Sequence, residues 1–485
     1  MLSKIFLISI SLSICMVTAF GQVFDNEHEY PKYAPDLLKQ DLDFIFRKYG
    51  EIHPDFYRET PKDTVLKRLG ALKSLITKPM TRMDFTSLFA PVLFHVIKDG
   101  HNYVNDSDEE IETYKKKGGL FFPLPVNMRG GRIYCNSLKG EIPFNSEIVS
   151  INQVGSKDVV RKLLSGYNAE SDYFAEVSNS PGFCWMYWNR YGEFDEYRIQ
   201  YIERGVVKSK TLKGLTEAKI DELRIAVPQT NYAFYELPDL KTGVLEFNVC
   251  EGLEGFKPFC DSVFSIMRTK NYSNLIIDMR NNTGGTTRLG ELLYGYLTDK
   301  SIRQFDKIET RISEEKRREF IENNRKYGGW FKWYNYLYYP IYIRTNAKRR
   351  AIMTAKKGTL ATEHFKSKKP EVSPLLFNGK VHLLISEKTY SAAAIFAATL
   401  KYYNLANLVG QETGETTSFT ANTVDLVMPN TKLLCSASCA RIFMIGWKDD
   451  GHGVIPDKIV NKDNNSTSDQ EMDYVIKAIK SSKPN

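Results

Sequence analysis

Two almost wholly apolar runs, LIIDM at 275–279 and VHLLIS at 381–386, most constrain how this chain can fold. A strand with one face in water alternates apolar and polar side chains. A run without that alternation is buried on both faces, as in a parallel sheet covered by helices. Each run leads through a turn into a helical pattern, at 289–297 and 391–403. A strand at 244–249 comes before them, followed by Phe256, Phe259, Val263, Phe264 and Met267 at helical spacing, and a short strand is expected at 407–410. Strands alternating with helices predict an α/β core over 241–485 with a largely parallel sheet. A charged, aromatic insert at 301–378 interrupts it, with KRREF at 316–320 and WFKWYNYLYYPIYIR at 330–344. A long insert between core elements is expected to wall a cleft or pack on its parent domain.

The 485 residues suit two or three domains. Residues 1–21 read as a secretory signal peptide: Lys4 supplies the positive charge, 5–20 are apolar or small, and Ala19-Phe20-Gly21 offers a cleavage site before Gln22. The stretch is short for a membrane span, so an exported, periplasmic or extracellular protein is expected, with no integral membrane segment after cleavage. Residues 22–115 form a helical region, with Leu38, Leu42, Ile45 and Tyr49 on one face and a capping box at Thr81 and Asp84 opening a third helix. That helix is expected to end at Asp99-Gly100, with glycine as a left-handed cap. Residues 116–205 switch to short strands, and 206–240 read as a connecting segment. The strand, turn, strand and helix of GEIPFNSEIVSIN and 157–164 look like a PDZ module, closed by YRIQY at 197–201.

Acidic residues number 58 against 66 basic ones, so the net +8 is a surface property and not a nucleic-acid footprint. Six cysteines remain after the leader. They could pair in an oxidising compartment, but buried thiols are the expectation. Cys435 and Cys439 lack a histidine pattern for zinc, and no metal or cofactor is implied.

Ser391 follows the second apolar run and begins a helix, where free N–H groups and the helix dipole favour an oxyanion. Serine is also an ordinary N-cap, and on this residue alone that reading is stronger. The first apolar run ends in Gly284-Gly285, where backbone N–H groups can approach a ligand.

Taken together, LIIDMRNNTGG, VHLLISEKTYSAAAIFA, LVGQETGE and GVIPD at 453–457 resemble the tail-specific (C-terminal processing) serine peptidase family. The resemblance implies an α/β catalytic core of Clp protease–crotonase type behind a small β-rich PDZ-like domain and an N-terminal helical region. It implies Ser391 as nucleophile, with Gly284 or Gly285 and Ala392 as oxyanion hole. Members with a Ser–Lys dyad carry a downstream lysine, but none stands between Lys401 and Lys432. The tricorn-like branch instead uses a histidine ahead of the PDZ module and an acid before the GVxPD string. Those places hold His101, after Lys98-Asp99-Gly100, and Asp450. His452 competes with His101 and Asp449 with Asp450. Asp99 could be a cap or could orient the imidazole, His53 is expected to shape a turn, and His95 to be structural.

The expected function is hydrolysis of peptide bonds through an acyl-enzyme, with peptide or protein substrates. The alternative is a catalytically degenerate homologue that binds a ligand or peptide in the envelope, in keeping with Asp in place of Glu at 450 and the absent lysine. A PDZ-led scaffold is a third reading.

Overall fold

The computed structural model describes residues 30–105, 108–225, 230–327, 339–460 and 468–481. The leader expected at 1–21 and most of the aromatic run at 330–344 lie outside them.

Both apolar runs are central strands. Asn274–Asp278 pairs in parallel with Lys380–Ile385 on one side and Thr242–Phe247 on the other. The sheet continues through Asn407–Gly410 and Lys458–Ile459, and Tyr232–Leu237 closes the far edge antiparallel. Leu275 and Ile277 pack into one core with the helices Leu253–Thr269, Arg288–Leu297 and Ala392–Tyr402, while Ile276 and Leu384 face the helix Gln470–Ser481. Burial on both faces explains why the runs do not alternate. Parallel strands also place their C-terminal ends along one edge, where such sheets hold their sites. The loops at 279–287, 386–391 and 411–417 leave from that edge.

A second, antiparallel sheet was not read from the sequence. Ser418–Val427 and Leu434–Met444 form a long hairpin, and Leu434–Met444 also pairs with Tyr103–Asn105 and Phe305–Arg311. The insert therefore contributes strands: Phe305–Arg311 pairs with Leu360–His364.

Helices Pro35–Ile52, Lys62–Leu75 and Arg82–Val96 bury Leu38, Leu42, Ile45, Phe89 and Leu93 against Leu426, Cys435, Ala437 and Cys439 of the hairpin. Burying each large apolar side chain contributes roughly 1.5–3 kcal/mol, so the helices and hairpin share one core. Tyr49 Oη donates to Ser436 O at 2.5 Å, and Asp41 accepts from Thr431 N–H at 2.8 Å. The capping box is present, with Thr81 Oγ1 accepting from Asp84 N–H at 3.1 Å. The helix it opens stops earlier than expected, at Val96. Gly100 is not its cap. A Cβ there would lie 2.5 Å from Tyr390 Oη, so glycine is required by close approach.

Residues 126–213 form a third sheet around Glu147–Ile151 and Glu196–Glu203, covered by Ser156–Leu164. Glu196–Glu203 pairs with Val206–Lys213 along its whole length. The sheet thus runs past the boundary expected at 205, and the segment expected only to connect supplies two strands. All six described cysteines are buried thiols.

Candidate active site

Three hydrogen bonds hold the turn before Ser391 against the loop after the first apolar strand. Ser386 Oγ donates to Arg280 O at 2.5 Å, Thr389 Oγ1 to Met279 O at 2.9 Å, and Tyr390 N–H to Asn282 O at 3.0 Å. Arg280 is held by Asp278, Asp469 and Glu471, which ties the C-terminal helix to the same edge. Ser391 itself has φ +49° and ψ −121° and makes no side-chain cap bond. It is not an N-cap in the ordinary sense. Its backbone sits where a non-glycine residue is strained, and such strain gathers at functional sites. Its hydroxyl is left free to face His101, whose Nε2 lies 3.3 Å away.

Gly284 and Gly285 differ in what their N–H groups do. Gly284 has φ +104°, and a Cβ on it would lie 2.8 Å from Ser391 Cβ. Its N–H donates to Asn282 Oδ1 at 2.9 Å, so it is already engaged. Asn282 is fully buried and anchored in turn to Phe247 O at 2.8 Å. The N–H groups of Gly285 and Ala392 have no hydrogen-bond partner among the described residues. Of the expected oxyanion donors, Gly285 and Ala392 are available and Gly284 is structural.

His101 comes to the serine because Tyr103–Asn105 pairs with Leu434–Met444, immediately after it. Its N–H donates to Asp99 Oδ1 at 2.8 Å. Its ring lies between Tyr390 and Phe419, with centroids 5.1 Å and 5.6 Å away. Three oxygens approach Nδ1: Tyr390 Oη at 3.3 Å, Asp99 Oδ1 at 3.5 Å and Glu415 Oε2 at 3.7 Å. Asp99 also receives Thr420 Oγ1 and has His53 Nε2 3.4 Å from Oδ2. His53, expected only to shape a turn, is buried behind this carboxylate.

Asp450 is not part of this constellation. It is exposed and accepts from His452 N–H at 3.1 Å, across a separate cavity bounded by Tyr402 and Lys448. Gly446 and Gly451, both at positive φ, flank the turn that holds the acid in solvent. Asp449 pairs with Arg58 and Arg441, and His452 with Glu412 at 3.1 Å, which removes both rivals. The carboxylates that reach the imidazole are Asp99 and Glu415. Glu415 stands in the very string where lysine was sought, and that acid was the available signal.

Glu170 arrives from the third sheet's module. It accepts from Gly100 N–H at 3.0 Å and from Tyr390 Oη at 2.8 Å, while Phe174 stacks on Tyr390 at 4.0 Å. Nothing in its polar surroundings in the sequence marked it. Burial works to push the Asp99 carboxyl up, but the hydrogen bonds and charges of His101 and His53 win and hold it well below the usual range. Burial raises Glu170 to about 7, with the Asp99 charge acting the same way. Burial drives Glu415 far up as well, helped by Glu170 and Asp99. For His101, burial pulls the pKa down, but the hydrogen bond and charge of Asp99 outweigh it and the net shift is upward. Asp99 is therefore the ionised partner of the imidazole. Atoms of Asp99, His101 and Glu170 lie within 4.8 Å of one another and could hold a cation, though each already has protein partners.

The Asp99→Asn variant follows from this balance. Without the charge, burial dominates and the His101 pKa falls. A base must be neutral, so the acidic limb of the kcat/KM–pH profile should move to lower pH. The plateau should fall between about tenfold and 10⁴-fold through lost orientation. An unshifted limb would remove Asp99 from this role.

Residues 243–460 match the model of Peptidase family S41. Mature CPAF complexed with lactacystin has the same fold, at TM-score 0.61 and 14% identity over 92% of this chain and 98% of that one. The photosystem II D1 C-terminal processing protease aligns at TM-score 0.43 and 12% identity over 88% and 93% of the two chains. The tricorn protease aligns at 0.40 and 15% over 92% and 37%. No curated protein matches the sequence. Residues 243–460, built around this sheet edge, therefore form a Peptidase family S41 domain, the domain of a serine peptidase.

Proposed function

We propose that this chain is an exported endopeptidase in which Ser391 is the nucleophile and His101 its general base. The observation that carries the reading is the 3.3 Å approach of His101 Nε2 to a strained, uncapped Ser391 beside two unpartnered N–H groups. Nε2 takes the hydroxyl proton as Oγ attacks the peptide carbonyl. The oxyanion is received by the N–H groups of Gly285 and Ala392. Asp99 stabilises the imidazolium, which then protonates the leaving amine. Water, activated by the same histidine, releases the acyl group.

The sheet at 126–213 with its covering helix supports a PDZ-like reading of residues 116–205, extended to Lys213. Such a module would hold an extended peptide by strand addition. Export is read from the leader at 1–21. No helix among the described residues is long and apolar enough to cross a membrane.

The test is incubation of the mature protein with unfolded casein and counting of new N-termini by mass spectrometry. New termini that depend on Ser391 support the reading. None at micromolar enzyme over hours overturns it in favour of a binding protein.

A further inference from the structure

We propose that a basic cavity beside the oxyanion loop is a subsite for carboxylates of the substrate peptide, so that the enzyme prefers acidic segments. This deepens the peptidase reading and rests on it.

The cavity has a volume of about 620 Å³, within the range that holds small ligands or a few side chains. Its position ties it to the chemistry. Arg288, on its wall, is three residues after Gly285, so their Cα atoms are at most about 11 Å apart. Leu292 and Tyr296 of the same helix continue the wall, and the insert supplies the rest through 302–305 and 365–374. This gives the insert a role: it completes a compartment whose Arg288 wall follows the oxyanion loop by three residues.

The lining is strongly one-sided in charge. Lys257, Arg288, Arg303, Lys366, Lys368 and Lys369 stand against two carboxylates, Glu291 and Glu371. Glu291 already accepts from Gln304 Nε2 at 3.1 Å. Lys257 pairs with Asp261 and Arg303 with Asp306. Arg288, Lys366, Lys368 and Lys369 have no ion pair among the described residues. Arg303 Nε is buried and has no acceptor. The helix Arg288–Leu297 begins without a side-chain cap on Thr287, so its N-terminal dipole adds to the positive field. Phe305, Phe365 and Tyr296 supply an apolar floor. A lining that combines basic groups with aromatic rings suits a group with an aliphatic stem and an anionic tip. Within a peptide that is a glutamate or aspartate side chain, or the C-terminal carboxylate.

The experiment uses the full chain carrying Ser391→Ala, so that binding is read without turnover. Three fluorescein-labelled peptides are compared by anisotropy: one rich in Glu with an amidated C-terminus, its Gln counterpart, and the Gln peptide with a free carboxylate. A carboxylate-bearing peptide should bind about tenfold more tightly than the amidated Gln peptide at low ionic strength. The gain should shrink as salt is added. The arm that shows it identifies side-chain or C-terminal carboxylate as the source. Adding Arg288→Gln and Lys369→Gln should bring the ratio close to one, with thermal melting confirming an intact fold. Equal binding of all three peptides, or a gain that survives both substitutions, overturns the proposal. Casein cleavage by the wild type reports separately on the peptidase reading, so the two can fail independently.

Discussion

Replacing Ser391 by Ala should lower kcat/KM for peptide hydrolysis by about a thousandfold to a millionfold while leaving peptide affinity within a few-fold. The size follows from removing the nucleophile while the oxyanion donors and binding surfaces remain. The hydroxyl accepts no capping bond and only faces His101, so its loss should not unfold the protein. A companion variant separates chemistry from structure. Ser391 holds φ +49°, where a Cβ is penalised. Ser391→Gly should therefore be as inactive as Ser391→Ala yet more stable than it, by roughly 1 kcal/mol in urea unfolding. A Gly variant less stable than the Ala variant would mean that the strain is not real.

His101→Ala should cost a similar factor in kcat/KM, although His101 lies 290 residues earlier in the chain. The double variant Ser391→Ala/His101→Ala should fall little further, because a base with no nucleophile to activate contributes nothing. Multiplicative losses would mean that the two side chains act separately. The loss at position 101 should not be recovered through His452, which is paired with Glu412 in another cavity.

The parts of the site legible in the sequence were those on the parallel sheet. A strand buried on both faces leaves an unbroken apolar run. A strand followed by a turn and a small-residue helix draws attention to Ser391, although the N-cap reading is the stronger one until the paired glycines and the family order are added. His101 needed the family order. Local pattern could not bring it to the serine, because that contact depends on Tyr103–Asn105 pairing with Leu434–Ser436. The strand that receives it reads LCSASCARIFM. Its Ser436 and Ser438 are fully buried, and its small residues let the N-terminal helices approach closely. Such a strand is neither alternating nor strongly apolar, so it was silent.

The acid was misassigned for a related reason. Asp450 was chosen by its place ahead of GVIPD, but a turn flanked by two positive-φ glycines holds it in solvent. Asp99, two residues from His101, was weighed as a cap or as a group that orients the imidazole. It is the carboxylate whose charge the surrounding histidines retain. Glu415 was seen only as a missing lysine. Glu170 had no signal, because its role exists only once the module at 126–213 lies beside Tyr390. The insert's charges and aromatics suggested a cleft wall or extra packing. KRREF proves to lie on the helix Glu314–Tyr327, while the half-buried strands Phe305–Arg311 and Leu360–His364 lie outside the strings that drew attention.

The central claim is that a histidine from the N-terminal region activates a serine of the S41 core. Its most direct test is the rate and site of labelling by a fluorophosphonate, read by intact mass and peptide mapping. A single adduct on Ser391 is expected in the wild type, slowed by at least about a hundredfold in His101→Ala and absent in Ser391→Ala. An adduct on another residue, or an unchanged rate in His101→Ala, would contradict it.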